Sequence, residues 1–121
     1  MARVLIVDDS PTETHKMTDI LTKSGYEVIT ADSGEQGVAV AKQQLPDVVL
    51  MDIVMPGLNG FQATRQLSKD TKTSHIPVII VTTKDQETDR VWGRRQGAKG
   101  YLIKPVDGKV LIQAIQDALQ G

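Results

Sequence analysis

Hydrophobic residues gather along the chain in five short runs: Val4–Val7, Glu27–Ala31, Val48–Met51, Val78–Val81 and Tyr101–Ile103. Four of them are nearly continuous and aliphatic or β-branched, as in strands buried on both faces of a parallel sheet. The segments between them repeat their apolar residues at helical spacing. In the first helix Met17, Ile20 and Leu21 share a face, with Ser10 as N-cap, Pro11 at the first helical position and Gly25 just past the end. In the second, Val38, Ala41 and Leu45 form the stripe, and Ser33-Gly34-Glu35-Gln36 resembles a capping box. The third begins near Gly60 and carries Phe61 and Leu67. The fifth has the clearest period: Val110, Leu111, Ala114, Ile115, Ala118 and Leu119. The fourth, from about Asp85 to Gln96, has only Val91 and Trp92 as large apolar residues, set among Arg90, Arg94 and Arg95. Gly93 lies in its middle and costs about 1 kcal/mol relative to Ala. This helix is expected to be weakly packed and to close at Gly97.

Strand and helix thus alternate five times. The expectation is a doubly wound α/β domain over residues 1–121, a parallel sheet with right-handed crossovers and helices on both faces. No linker, internal repeat or second domain is expected. Hydrophobic residues make up 40% of the 121, enough for a globular core. A net charge of −1 gives no bulk reason to bind nucleic acid or an anionic membrane. The absence of cysteine excludes thiol catalysis, disulfides and thiolate metal sites. "MARVLIVDDS" is too short for the apolar region of a signal peptide, and no run approaches the roughly 20 residues of a membrane span. A soluble, cytoplasmic protein with no membrane insertion is the expectation.

Ligands of open α/β sheets bind outside the carboxyl ends of the strands. The first strand ends in Asp8-Asp9, the third in Asp52, the fourth in Thr82-Thr83 and the fifth in Lys104-Pro105; the second, at Thr30-Ala31, ends in nothing distinctive. Three carboxylates, one or two hydroxyls and an ammonium are therefore expected along one edge. Carboxylates a few Å apart repel by about 1 kcal/mol per pair in water and by several at an effective dielectric of about 20. A hard divalent cation reverses that sign, and Mg²⁺ takes one or two carboxylates while still binding phosphate oxygens. Such a cluster suits phosphoryl transfer, with one carboxylate as nucleophile.

Simpler roles exist for each residue. Asp8 and Asp9 could serve only as acids at a helix N-terminus, worth about 0.3–1 kcal/mol. Asp52 could be a turn residue before Pro56-Gly57, Thr82 only a strand residue, and Thr83 competes with Thr82 as a phosphate donor. His15 and His75 are read as surface residues, and Gly57 and Gly60 as turn and helix-start residues. Trp92 suits core packing and partner anchoring equally, since tryptophan is enriched in interface hot spots.

Taken together, "VLIVDDS", "MDIVMPGLNG", "PVIIVTT" and "GYLIKP" resemble, in order and spacing, the receiver domains of two-component response regulators, the CheY-like fold. The resemblance covers the whole chain and implies the strand order 2-1-3-4-5. It implies that Asp52 accepts phosphate from a histidine kinase and that Asp8, Asp9, Asp52 and the backbone carbonyl of Val54 bind Mg²⁺, with Mn²⁺ as a substitute. It also implies that Thr82 hydrogen-bonds the phosphoryl group, that Lys104 pairs with it, that the Lys104–Pro105 bond is cis, and that Tyr101 turns inward as Thr82 moves. The chain departs from many chemotaxis regulators two residues after Asp52, where Val54 replaces a polar side chain; Lys84 stands two after Thr82. These positions flank the path of an attacking water, so no dephosphorylation rate carries over.

Two stretches, "MDIVMPGLNGFQATRQL" and "VIIVTTKDQETDRVWGRRQGA", are similar to stand-alone receivers of type IV pilus chemosensory systems. The implied function is a phosphorylation switch that catalyses its own phosphorylation and dephosphorylation. It would present Arg90, Trp92, Arg94, Arg95 and Tyr101 to a downstream motility protein. The alternative is a phosphate sink that drains a shared kinase with no downstream partner. A flavodoxin-like carrier is disfavoured by the Asp-Asp-Ser-Pro loop and 3% aromatic content. A dehalogenase-type phosphatase wants Asp-x-Asp at the first strand, and a P-loop wants a Gly-x-x-x-x-Gly-Lys run; neither is present.

Overall fold

The computed structural model describes all 121 residues. Five strands, β1 (Arg3–Val7), β2 (Glu27–Ala31), β3 (Val48–Met51), β4 (Val78–Thr82) and β5 (Gly100–Ile103), alternate with five helices. The helices are α1 (Pro11–Lys23), α2 (Gly34–Gln44), α3 (Gly60–Lys69), α4 (Glu87–Gln96) and α5 (Gly108–Gln120). All strands are parallel, in the order β2-β1-β3-β4-β5. The doubly wound architecture is therefore as expected.

Side chains alternate across the sheet because successive Cβ atoms point to opposite faces. Val4, Ile6, Val48, Leu50, Ile79 and Val81 pack with Met17 and Leu21 of α1 and Leu111 and Ile115 of α5. Leu5, Val7, Val49, Met51 and Val78 pack on the other face with Val38 and Ala41 of α2 and Ala63 and Leu67 of α3. The central strands β1, β3 and β4 are almost wholly buried, whereas β5, at an edge, is half-buried throughout.

Local signals set the helix ends. Ser10 accepts from the Glu13 N–H, and Gly25 follows α1 with φ +88°. Ser33 accepts from the Gln36 N–H, but the Gln36 side chain accepts from the Asp32 N–H rather than from Ser33, so the box expected there is displaced by one residue. A reciprocal box starts α3 instead, between Asn59 and Gln62. Leu45 does not join the α2 stripe. Pro46 disfavours helical geometry in the residue before it, and Leu45 leaves the helix as a left-handed cap, 51% exposed. In α5 the buried positions are Leu111 and Ile115, while Val110 and Leu119 face outward.

Helix α4 begins at Glu87, two residues later than its spacing suggested, and buries only Gly93 and Gln96. Trp92 is 49% exposed, which resolves its role against core packing. A Cβ on Gly93 would lie 2.9 Å from Ile80 Cδ1 and 3.2 Å from Tyr101 Cδ2. The glycine that weakens the helix is therefore what lets it approach β4 and β5.

Candidate phosphoacceptor site

Strand register assembles the site. Val7 pairs with Met51, so Asp8 and Asp52 leave the sheet side by side. The Asp52 N–H donates to Val7 O, and the Asp8 N–H to Ala31 O. Thr82 pairs with Ile103, which brings Lys104 to the same edge, and the Lys104 N–H donates to Thr82 O. The Lys104–Pro105 bond is cis.

Asp8, Asp9 and Asp52 each offer a carboxylate oxygen within 4.8 Å of the others. Lys104 Nζ lies 2.7 Å from Asp8 Oδ2 and 3.5 Å from Asp52 Oδ2. Asp8 and Asp52 are buried and Asp9 is exposed. Asp8 Oδ1 accepts from the Ser10 N–H at 2.9 Å, which ties the acid to the cap of α1. Asp52 Oδ1 accepts from the Ile53 N–H at 2.8 Å, which leaves Oδ2 toward the lysine.

Burial pushes the Asp52 carboxyl above its ordinary range; the Lys104 charge opposes this, and the Asp8 charge adds to it. Burial works against the Lys104 ammonium, but its hydrogen bond to Asp8 and the charges of Asp52, Asp8 and Glu13 outweigh that and hold it protonated above the ordinary lysine range. Three carboxylates against one ammonium leave two formal negative charges unbalanced. An all-oxygen donor set with that deficit fits a hard divalent cation, with one open, exposed side at Asp9.

Thr82 is fully buried and Thr83 is exposed. Thr82 Oγ1 accepts from the Lys84 N–H at 3.3 Å, and the Lys84 carbonyl accepts from the Tyr101 hydroxyl at 2.7 Å. Tyr101 therefore lies turned in against α4, joined to Thr82 through a single residue. Its ring also faces the Arg90 guanidinium, 5.3 Å from the centroid. The Lys84 ammonium reaches Asp89 of α4 at 3.8 Å. Val54, two residues after Asp52, is 61% exposed. Arg94 and Arg95 are exposed beside Trp92, whereas Arg90 is half-buried on Tyr101. His15 and His75 are both exposed.

Sequence reasoning missed three participants. Glu13 adds negative charge around Lys104. Glu35 accepts from the Leu58 N–H at 3.2 Å and holds the β3–α3 loop across 23 positions of sequence. Asp32 joins Asp8, Asp9, Thr14, His15 and Gln36 around a groove of about 530 Å³ between α1 and the end of β2. Glu13 and Glu35 act across the fold and no local motif marks them; Asp32 follows β2 directly, as Asp8 follows β1 and Asp52 follows β3, so the second strand end does carry an acid that the reading at Thr30-Ala31 passed over.

Burial pushes the Tyr101 phenol up to about 12 from 10.0; Asp89 adds to the shift and Arg90 opposes it. The neutral phenol is thus favoured in the folded state. The stability this contributes is fully present below pH 10 and is lost between pH 10 and about 12. Tyr101 and Tyr26 are the two tyrosines, so Tyr26→Phe isolates the signal. Its tyrosinate absorbance should develop only well above pH 10, whereas a normal midpoint would contradict the packing described.

Residues 4–116 match the family model of the response regulator receiver domain. The chain is 68% identical to Protein PilH of Pseudomonas aeruginosa over 121 residues, 100% of both proteins. It is similar in structure to chemotaxis protein CheY4 of Vibrio cholerae, with TM-score 0.92 and 32% identity over 98% of this chain and 99% of that one. It is equally similar, at TM-score 0.92 and 29% identity over 99% and 98% of the two chains, to the receiver domain of a Pseudomonas aeruginosa sensor histidine kinase whose active-site cleft coordinates a magnesium ion. With the acidic edge, the buried lysine and the 2-1-3-4-5 sheet, these likenesses show that the chain belongs to the CheY-like response regulator receiver domains of two-component signalling.

Proposed function

We propose that this receiver accepts a phosphoryl group from a histidine kinase on Asp52, with Mg²⁺, and signals through the surface of α4, β5 and α5 in chemosensory control of type IV pilus motility. The observation that carries the proposal is the Lys104 ammonium set between the buried Asp8 and Asp52 carboxylates, with Asp9 beside them. The full-length likeness to PilH supports the pilus role. Asp8, Asp9, Asp52 and the Val54 carbonyl would hold the Mg²⁺, with Mn²⁺ as a substitute. The ion supplies positive charge that lets an anionic donor approach an acidic site.

The chain's own residues do the rest. The Ile53 N–H fixes Asp52 Oδ1, so one face of the carboxylate is presented. An Asp52 oxygen bonds to phosphorus as the P–N bond of the phosphohistidine breaks, and the departing imidazole nitrogen keeps the electron pair and takes up a proton. Lys104 shifts from its carboxylate partners toward the new phosphoryl oxygens, and the Thr82 hydroxyl donates to another. Thr82 then gives up its contact with the Lys84 N–H, which perturbs the residue that also holds Tyr101. A tenfold change in the population of the α4 surface needs only about 1.4 kcal/mol of differential interaction. Arg90, Trp92, Arg94, Arg95 and Tyr101 are the residues offered to a motility protein.

Incubation with acetyl phosphate and Mg²⁺ should add one phosphoryl group by intact mass, and chelation with EDTA should prevent it. No adduct on the folded protein would defeat the proposal. A partner that binds only the phosphorylated form supports the switch; rapid turnover with no such partner moves the assignment to a phosphate sink.

A further inference from the structure

We infer that Gly60 is a positioning residue for the phospho-accepting carboxylate, acting through the peptide bond between Asp52 and Ile53; this rests on the assignment of Asp52 as acceptor. Helix α3 starts at Gly60, fixed by the reciprocal box between Asn59 and Gln62. The Gly60 N–H donates to Ile53 O at 3.0 Å, which seats the first turn directly on the end of β3. A Cβ at Gly60 would lie 1.9 Å from Asp52 O, 2.7 Å from Asp52 C and 2.7 Å from Ile53 Cα. All three are backbone atoms, so no side-chain rotation relieves the contact.

The peptide plane is what links this contact to chemistry. The Asp52 carbonyl and the Ile53 N–H belong to one rigid planar unit and turn together. The Ile53 N–H is the group that holds Asp52 Oδ1 at 2.8 Å. On the other side, the Asp52 N–H is pinned to Val7 O at 2.9 Å. A side chain at position 60 therefore either swings the Ile53 N–H away from the carboxylate or lifts α3 from its seat. In both cases the acceptor loses the donor that orients it, while Lys104 keeps pulling on Oδ2 from 3.5 Å. A misplacement of about 1 Å at a reacting group costs roughly 10²-fold in rate.

The test compares Gly60→Ala with Gly34→Ala. A Cβ at Gly34 would lie 2.3 Å from Leu58 O, so it crowds the same loop away from Asp52 and serves as the structural control. At saturating acetyl phosphate and Mg²⁺, folded Gly60→Ala should phosphorylate about ten- to a hundredfold more slowly, with a smaller change in half-saturating donor. In metal-free protein its Ile53 amide resonance should leave its hydrogen-bonded position. Gly34→Ala should lose melting temperature yet keep the wild-type rate and Ile53 resonance. If Gly60→Ala does not fold, Asn59→Ala decides: loosening the cap should shift the Ile53 resonance and slow phosphorylation severalfold. A folded Gly60→Ala with wild-type rate and amide, a Gly34→Ala that slows as much, or an Asn59→Ala with no effect would overturn the assignment. A wild-type protein that takes up no phosphate would defeat the acceptor role instead, and the Ile53 resonance would still report on Gly60.

Discussion

Asp52→Asn should abolish phosphoryl uptake and, in the same molecule, raise stability in magnesium-free buffer. Asparagine keeps the shape of the side chain and an oxygen for the Ile53 N–H, so the fold loses little. The amide cannot serve as the nucleophile, so the adduct should disappear. Stability should rise because Asp52 is a buried carboxylate in a site with two negative charges in excess. Removing it ends its repulsion with Asp8 and Asp9, and the lost attraction to Lys104 offsets only part of that gain. The net gain is on the order of 1 kcal/mol. The pH dependence has a definite sign. A carboxyl raised above 3.8 favours folding fully below that value and loses the contribution as pH rises through the folded pKa. The advantage of Asp52→Asn should therefore be present at neutral pH and shrink as pH falls toward 3.8. Thermal melts of both proteins across that range, in EDTA, measure it. An Asn variant that is less stable at neutral pH, or that still takes up phosphate, would contradict the site described.

Lys104→Ala should act in the opposite direction. The Lys104 side chain is 9% exposed and is the ammonium paired with both Asp8 and Asp52. Removing one member of a buried ion pair costs about 3–5 kcal/mol, because the remaining charge is left desolvated. For a domain of this size that is a fall in Tm of about 10 °C or more. Mg²⁺ should then stabilise the variant by more than it stabilises wild type, since the ion supplies positive charge to acids that have lost their own. Binding to the folded state raises stability as RT ln(1 + [L]/Kd), so a titration of Tm against Mg²⁺ reads the affinity directly. Phosphorylation should also slow, because the charge that meets the phosphoryl oxygens is gone. If Lys104→Ala melts with wild type, or gains nothing extra from Mg²⁺, the lysine is not holding the acids together.

Much of this was legible in the sequence. Strands β1, β3 and β4 are buried on both faces, so each reads as an unbroken apolar run, and the acid or hydroxyl that ends the run marks the sheet edge. The edge strand β5 read almost as well, because the Lys-Pro pair comes directly after it. Failures arose where a local pattern was overruled by the next residue in the chain or by tertiary packing. Leu45 fits the helical period but precedes Pro46. Val110 and Leu119 fit the period of α5 yet lie outside the strip that touches the sheet. The start of α3 near Gly60 was read correctly, but the cap that fixes it, the Asn59–Gln62 box, was passed over beside the turn residues Pro56 and Gly57. Glu35 holding Leu58, and Gly60 against Asp52, join residues whose meeting depends on the finished fold.

The bare glycine beneath α4 has a consequence for how such a regulator could change its listeners. The helix meets the sheet at Gly93, through absence of a side chain rather than through interlocked ones. Arg94 and Arg95, on its outer side, are exposed, and Trp92 keeps about half of its surface in solvent. Exchanging the two arginines should therefore leave the core packing intact, so the face proposed here for output can vary without disturbing the proposed phosphoacceptor site.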